Sequence, residues 1–395
     1  MPQAEIQSLL DVTAATVGAA IVLEDSDQRL LAHTEHVGQI DESRLDYILG
    51  RPISEASREW FSHWARQADV GPVMVPPNPE IGVSEGRLCI AVRYLGRHLA
   101  YMWLQIDSKL DERRTEIAQA AATDVGAALY RQNQVVEVGG ELVSRLLGSG
   151  ADSRSAADEL RVSGRFASTS RVLVTVCGLA DDSRVTSRTS TDLTYLAGRV
   201  VTQFAPGRLL TCTTANSLIA LEALRDNQAP RADSKFVEML TTSGASVVGD
   251  LVFGVGTAET LDDARRSFEM ARRAQWILRA NPELGTAACW TDLGIHRAMA
   301  FLPVGEARES VTDERVVKLL ADPVLAATAC TFLDLAGNVQ ATAAALYIHR
   351  ATLYQRLDRI DEVTGLDLRA SGEHRLVAHF GIKLARMLRT SANPH

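Results

Sequence analysis

Between His349 and Ile360 the chain gathers side chains suited to hydrogen bonding with the grooves and phosphates of a nucleic acid. Arg350 carries a forked guanidinium that matches the O6/N7 edge of guanine. Gln355 can pair with the N6/N7 edge of adenine, and Thr352 can touch a thymine methyl or a phosphate. His349 and Tyr354 suit phosphate contacts. With Arg356 and Arg359 the run sets three arginines against one carboxylate, Asp358, in a chain whose net charge is −8. Basic residues on the wet face of an ordinary amphipathic helix are the competing reading.

Other chemistry-bearing spacings fail on their context. Gly82-Val83-Ser84-Glu85-Gly86 has the spacing of a hydrolase nucleophile elbow, which needs a strand before the serine and a helix after it. Here a proline-rich loop precedes and strand-forming residues follow. Gly254-Val255-Gly256 opens a dinucleotide fingerprint, but Glu259 stands at the third glycine position. His33 and His36 lie three residues apart with no third ligand near, too few for a tetrahedral metal site. The five cysteines, Cys89, Cys177, Cys212, Cys289 and Cys330, form no Cys-x-x-Cys pair and read as reduced core thiols. The sequence thus assigns no catalytic residue, metal ligand or cofactor.

The elements that must position the basic run are helical. Val324 to Leu335 is amphipathic and ends at Gly337-Asn338. Gln340 to Tyr347 is short and alanine-dense, with Ala341, Ala343, Ala344 and Ala345 allowing another helix to approach closely. Ile348-His349-Arg350 makes a tight turn, and Thr352 to Val363 is a longer helix with Leu353, Leu357 and Ile360 as its buried stripe. Gly365 stops it, and Arg375 to Leu388 supplies a supporting helix. Short helix, tight turn and longer helix describe a helix-turn-helix whose last helix lies in a DNA major groove.

Upstream the pattern is mixed α/β. A helix ends at Val17, and Ala19–Glu24 and Arg29–His33 form a hairpin. Helices follow at Asp41–Leu49 and Ser54–Gln67, then an irregular loop containing Pro72, Pro76, Pro77 and Pro79. A second hairpin comprises Arg87–Tyr94 and His98–Ile106. Leu110 to Arg131 is helical, Gly139-Gly140 interrupts, and Glu141 to Leu147 resumes. A second α/β unit holds strands at Arg171–Leu179, Arg208–Thr213, Ser217–Leu221 and Val247–Gly256. Its helices are Leu193–Phe204 and Ala264–Ala280, and Asp181 to Thr191 reads as a mobile loop. Asp313 to Leu320 leads into the helical tail.

At 395 residues, with 46% hydrophobic and 23% charged residues, the chain has the makings of two to three globular domains. No apolar run approaches the ~20 residues of a membrane helix, and no secretory signal opens the sequence, so a cytoplasmic protein is expected. The acidic balance argues against non-specific coating of nucleic acid, while leaving room for a small basic face.

The gapless run from Thr342 to Ile360 (TAAALYIHRATLYQRLDRI), with Thr364-Gly365-Leu366-Asp367-Leu368 after it, closely resembles the C-terminal helix-turn-helix of PucR/CdaR-type bacterial transcriptional regulators. One departure is visible: that family usually has Asn, able to cap the helix or contact DNA, where this chain has Ala351. Val255-Gly256, Ser267 to Ala274 and Asp292-Leu293-Gly294 resemble the family's central domain, a relative of nucleotide-cyclase GGDEF domains. Gly139-Gly140-Glu141-Leu142 echoes half of a cyclase signature but precedes the domain's first strand. The hairpin near Thr213 to Ser217 has neither Gly-Gly nor paired carboxylates for magnesium. The N-terminal unit is similar to a GAF sensor domain in its order of elements.

The resemblance implies a multidomain α/β plus all-α protein: a GAF-like sensor over 1–130, a helical linker over 131–169, a degenerate GGDEF-like domain over 170–310 and a helix-turn-helix bundle over 311–395. It implies a DNA-binding regulator of catabolic or secondary-metabolic genes and not an enzyme. Its partners would be double-stranded DNA, a second copy of itself (dimer or larger even assembly) and a small-molecule effector. That effector would sit in a cup between the Arg87–Ile106 hairpin and the Asp41–Gln67 helices. Arg93, Tyr101 and Trp103 are the polar candidates there, and they fit ordinary core and rim packing equally well. An enzyme of nucleotide-cyclase type and a protein-interaction adaptor are the rival readings.

Overall fold

Alternation along Ala20–Glu24 (β1) sets two faces: Ile21 and Leu23 are buried in one apolar cluster, Val22 in another. The rest of the first sheet obeys that division. The computed structural model describes residues 2–35, 40–49, 54–106, 111–164, 166, 171–204, 208–224, 231–244, 248–258, 260–301 and 313–389. Contacts divide the chain into two units, Met1–Arg145 with Thr191–Thr213 and Leu146–Ser190 with Thr214–His395.

In the first unit, β1 pairs antiparallel with Leu30–His33 (β2) and Arg97–Ile106 (β5). Gly86–Tyr94 (β4) and Val73–Val75 (β3) complete a sheet of order β2-β1-β5-β4-β3. One face packs Ile21, Leu23, Ile90, Met102 and Leu104 against Ile6 and Leu10 of Pro2–Val17 (α1) and Val125 and Leu129 of Glu112–Leu147 (α4). The other face is covered by Glu42–Ile48 (α2) and Glu55–Ala68 (α3), with Phe61, Trp60 and Trp64 packed on Cys89 and Trp103. Asp41 and Ser54 cap these two helices through Arg44 N–H (2.8 Å) and Ser57 N–H (3.1 Å). Thr189–Val201 (α6) lies largely in this unit, where Tyr195 donates to Leu30 O at 2.8 Å and Asp192 pairs with Arg29.

Two sequence expectations need correction here. Gly139-Gly140 does not interrupt α4, which runs unbroken. A Cβ on Gly139 would stand 3.1 Å from Leu210 Cδ2, and one on Gly140 3.1 Å from Thr211 O, so the pair lets Leu209–Thr213 (β7) approach the helix. The proline-rich stretch is not structureless, for it contains β3 and a 3-10 turn at Pro79–Ile81. Asp181 to Thr191 is largely loop, with one 3-10 turn at Asp182–Arg184, and enters α6 at Thr189. His36 and Glu259 lie outside the described residues, as does Val247 at the start of the expected strand.

In the second unit Val172–Leu179 (β6) is buried along its whole length, antiparallel to Ser217–Ala223 (β8) and Leu251–Ala258 (β9). Ala287–Cys289 (β10) runs parallel to β9. Ala151–Val162 (α5), Lys235–Gly244 (α7), Ala264–Ala280 (α8) and His296–Met299 (α9) accompany these strands. Helix α8 lies directly on β9, and Gly254 and Gly256 are the reason it can. A Cβ on Gly254 would fall 1.9 Å from Ala271 O, and one on Gly256 1.9 Å from Ser267 O. The glycine spacing that mimics a dinucleotide fingerprint is thus a helix-on-strand contact. The tail comprises Glu314–Leu320 (α10), Pro323–Asp334 (α11), Val339–Ala345 (α12), Arg350–Thr364 (α13) and Gly372–Arg389 (α14). Among the described residues no single helix is long and apolar enough to cross a membrane.

Because the obstruction at Gly254 is backbone, Gly254→Ala is expected to cost about 3 kcal/mol or more. A thermal or urea melt checks this, and an unchanged midpoint would refute the contact.

Candidate nucleic-acid interface

Leu353, Leu357 and Ile360 recur at steps of four and three, so they share one face of α13. All three are buried, in a core with Leu325, Phe332, Leu366, Leu368, Ala378 and Ile382. Asn338 caps α12 by accepting Ala341 N–H at 3.0 Å, and Gly365 ends α13 in the left-handed region, φ 74°, its N–H reaching Asp361 O at 2.7 Å. Ala343 packs into the core. Ala344 and Ala345 are exposed, so only part of the alanine cluster serves the close helix approach expected of it.

With one face buried, the opposite face presents the basic run. His349, Arg350, Tyr354, Gln355 and Arg359 are exposed, and Thr352 is half-buried. Arg356 turns inward, half-buried, and donates to Thr328 Oγ1 at 3.3 Å. His349 is the N-cap of α13, its Nδ1 accepting Ala351 N–H at 3.3 Å. Ala351 sits one position inside the helix, so capping never falls to that residue.

Charge along α13 is uneven. Arg359 is held by Glu362 at 3.0 Å and Asp358 by Arg369, exposed pairs of small energetic weight. Arg350 has no acidic partner among the described residues and stands on the first turn, at the positive end of the helix dipole. The face a polyanion would meet is therefore the N-terminal half.

Tyr347 was not singled out by its sequence context. It occupies the turn before α13 in the left-handed region, φ 55°, and is 96% exposed. A bulky side chain there is strained. Its signal was only its position, in a turn where glycine is the usual choice.

The three polar candidates of the N-terminal cup separate. Arg93 is exposed and paired with Asp69 at 2.9 Å, and Tyr101 lies against His98 in a tilted contact with ring centroids 4.3 Å apart. Trp103 alone reaches the recess between the sheet and α2, where its indole N–H donates to Glu24 Oε1 at 2.6 Å. Burial pushes the Glu24 carboxyl from 4.5 up to about 7, against the lowering effect of Tyr47 and Trp103. Ser84 leads directly into β4 with no helix after it, which is not elbow geometry. Among the described residues no cluster of three or more His, Cys, Asp or Glu is arranged to hold a metal. The five thiols are unpaired.

Two helices joined by a tight turn, the second offering an arginine and a glutamine outward, define a helix-turn-helix of the DNA-binding class. Residues 325–384 match the family model of the PucR C-terminal helix-turn-helix domain. Among solved structures, the chain is similar to a regulator of polyketide synthase expression from Bifidobacterium adolescentis. The two share 20% identity over 64% of this chain and 98% of the other, with a TM-score of 0.29. No curated protein matches the sequence.

Two outcomes follow from these geometries. Tyr347→Gly should melt at or above the wild-type midpoint, gaining up to about 1 kcal/mol from relief of the left-handed strain; a clear loss would show that the ring packs. Glu24 releases its proton earlier unfolded than folded, so the stability it contributes is present below pH 4.5 and lost as pH rises to about 7. Glu24→Gln should lack this component, and denaturant melts across that window would show parallel curves if Glu24 were not protonated in the fold.

Proposed function

We propose that the chain is a transcriptional regulator that binds double-stranded DNA in a sequence-specific manner, with α13 entering the major groove. The observation that carries this reading is the exposure of Arg350 and Gln355 opposite the buried Leu353–Leu357–Ile360 stripe. Arg350 reads guanine, Gln355 reads adenine, and Thr352 meets a thymine methyl or a phosphate. His349 and Tyr354 serve the phosphates, as does the exposed Tyr347, and Arg356 and Arg359 join them on exchanging Thr328 and Glu362 for phosphate oxygens.

One helix-turn-helix binds weakly, and two copies on one axis gain effective concentration. The functional species is accordingly a homodimer or larger even assembly on a palindrome with half-sites ~34 Å apart or a multiple of that. Residues 1–130 act as a GAF-like sensor for a small effector and 131–169 as a helical linker. Residues 170–310 are a degenerate GGDEF-like domain without turnover, and 311–395 carry the DNA-binding bundle. The setting is the cytoplasm.

A mobility-shift titration with the DNA upstream of the gene, beside random DNA, tests the reading. Arg350→Ala should cost about 1–3 kcal/mol on the preferred sequence and relax preference, whereas Arg356→Ala should weaken all sequences alike. Equal loss on both DNAs for Arg350→Ala refutes base reading. Absence of any shift favours an adaptor, and a cyclic dinucleotide formed from GTP and magnesium would overturn the silent middle domain.

A further inference from the structure

The α2/α3 face of the first sheet holds a narrow, partly open recess. Arg44, Arg87, Glu24, Tyr47, Phe61 and Trp103 are among its walls. The charges there do not balance. Arg44 is 2% exposed and Arg87 7%, yet Asp41 pairs with Arg87 only, through contacts of 2.9 and 3.0 Å. Arg44 donates to two backbone carbonyls, Thr34 O at 3.1 Å and Ile21 O at 3.4 Å. The Nε–H groups of both arginines have no acceptor among the described residues. A buried guanidinium without an anion is a large local cost, and each unpaired donor adds to it.

Glu24 does not supply the missing charge. Tyr47 Oη lies 2.8 Å from Glu24 Oε2 and 2.9 Å from Gln28 O, but a phenol has one hydrogen. The single phenol hydrogen is shared between the two acceptors, and burial favours the protonated Glu24 carboxyl. The recess then has an excess positive charge beside the flat apolar surfaces of Phe61 and Trp103.

We propose that this recess binds a small organic acid, with its carboxylate against Arg44 and Arg87 and a short apolar or single-ring body against Phe61 and Trp103. The inference rests on reading the first unit as the effector-sensing part and gives that effector a chemical class. Apolar walls with a few convergent polar groups are the common build of small-molecule sites. Around Glu24 stand Tyr47 from α2, Arg87 and Cys89 from β4, Trp103 from β5 and Asp25 beside it in sequence. Its ionisation would place a negative charge next to the bound carboxylate and weaken binding.

Isothermal titration of the full chain with benzoate and acetate, against benzylamine and benzyl alcohol, tests the assignment. Saturable binding of at least one carboxylate, with neither control binding, is expected. Arg44→Met should lose roughly ten-fold or more in affinity. Wild-type affinity should fall from about pH 6 to about pH 8, and Glu24→Gln should hold it nearly constant. If Arg44→Met does not fold, the Glu24→Gln comparison decides. Binding of benzylamine in preference, of no carboxylate, or with the same pH profile in Glu24→Gln would overturn the proposal. A mobility shift run in parallel keeps the two readings apart: carboxylate binding without DNA binding sinks only the regulator, and the reverse sinks only this site.

Discussion

Burial of one stripe on α13 is the constraint from which the functional surface follows. Leu353, Leu357 and Ile360 lose contact with water together, and the helix cannot rotate about its axis without exposing at least one of them. That fixes Arg350, Tyr354 and Gln355 outward. It also directs Arg356 toward Thr328, so two arginines of one short run have different surroundings because they sit at different angles around the same helix.

A second constraint lies in α14, which serves two cores of the same unit. Ala378 and Ile382 pack with the α13 stripe, whereas Leu384 and Met387 pack with Trp276, Ile277 and Leu278 of α8. A single continuous helix is stiff over this length, so the helix-turn-helix cannot swing away from α8 without uncovering the second set. Helix α8 is itself held on β9 by the two glycines, which makes the close contact at Gly254 and Gly256 part of what orients the exposed face of α13.

In the first unit the sheet does two kinds of work. Its α1/α4 side is apolar and supplies cohesion. Its α2/α3 side carries buried Glu24, Asp41, Arg44 and Arg87, polar groups that contribute little to stability unless partnered. Asp41 illustrates the economy of the arrangement, since one carboxylate caps α2 and pairs with Arg87.

The sequence by itself determined the local elements whose periodicity was strong: α8 from Ala264 to Ala280, the β4/β5 hairpin, and the helix-turn-helix with its leucine stripe and its basic outer face. These are decided by neighbours along the chain, through side-chain spacing and turn chemistry. Tertiary structure decided what depends on distant partners. The continuity of α4 through Gly139-Gly140 needs Leu210 and Thr211 seventy residues on, and β3 exists because β4 supplies its hydrogen bonds. Trp103 was recognisable as a pocket candidate, but Glu24, Arg44 and Arg87 were not. Their meaning lies in burial beside one another, and a charged residue's environment is set by the residues folded around it rather than by those written beside it.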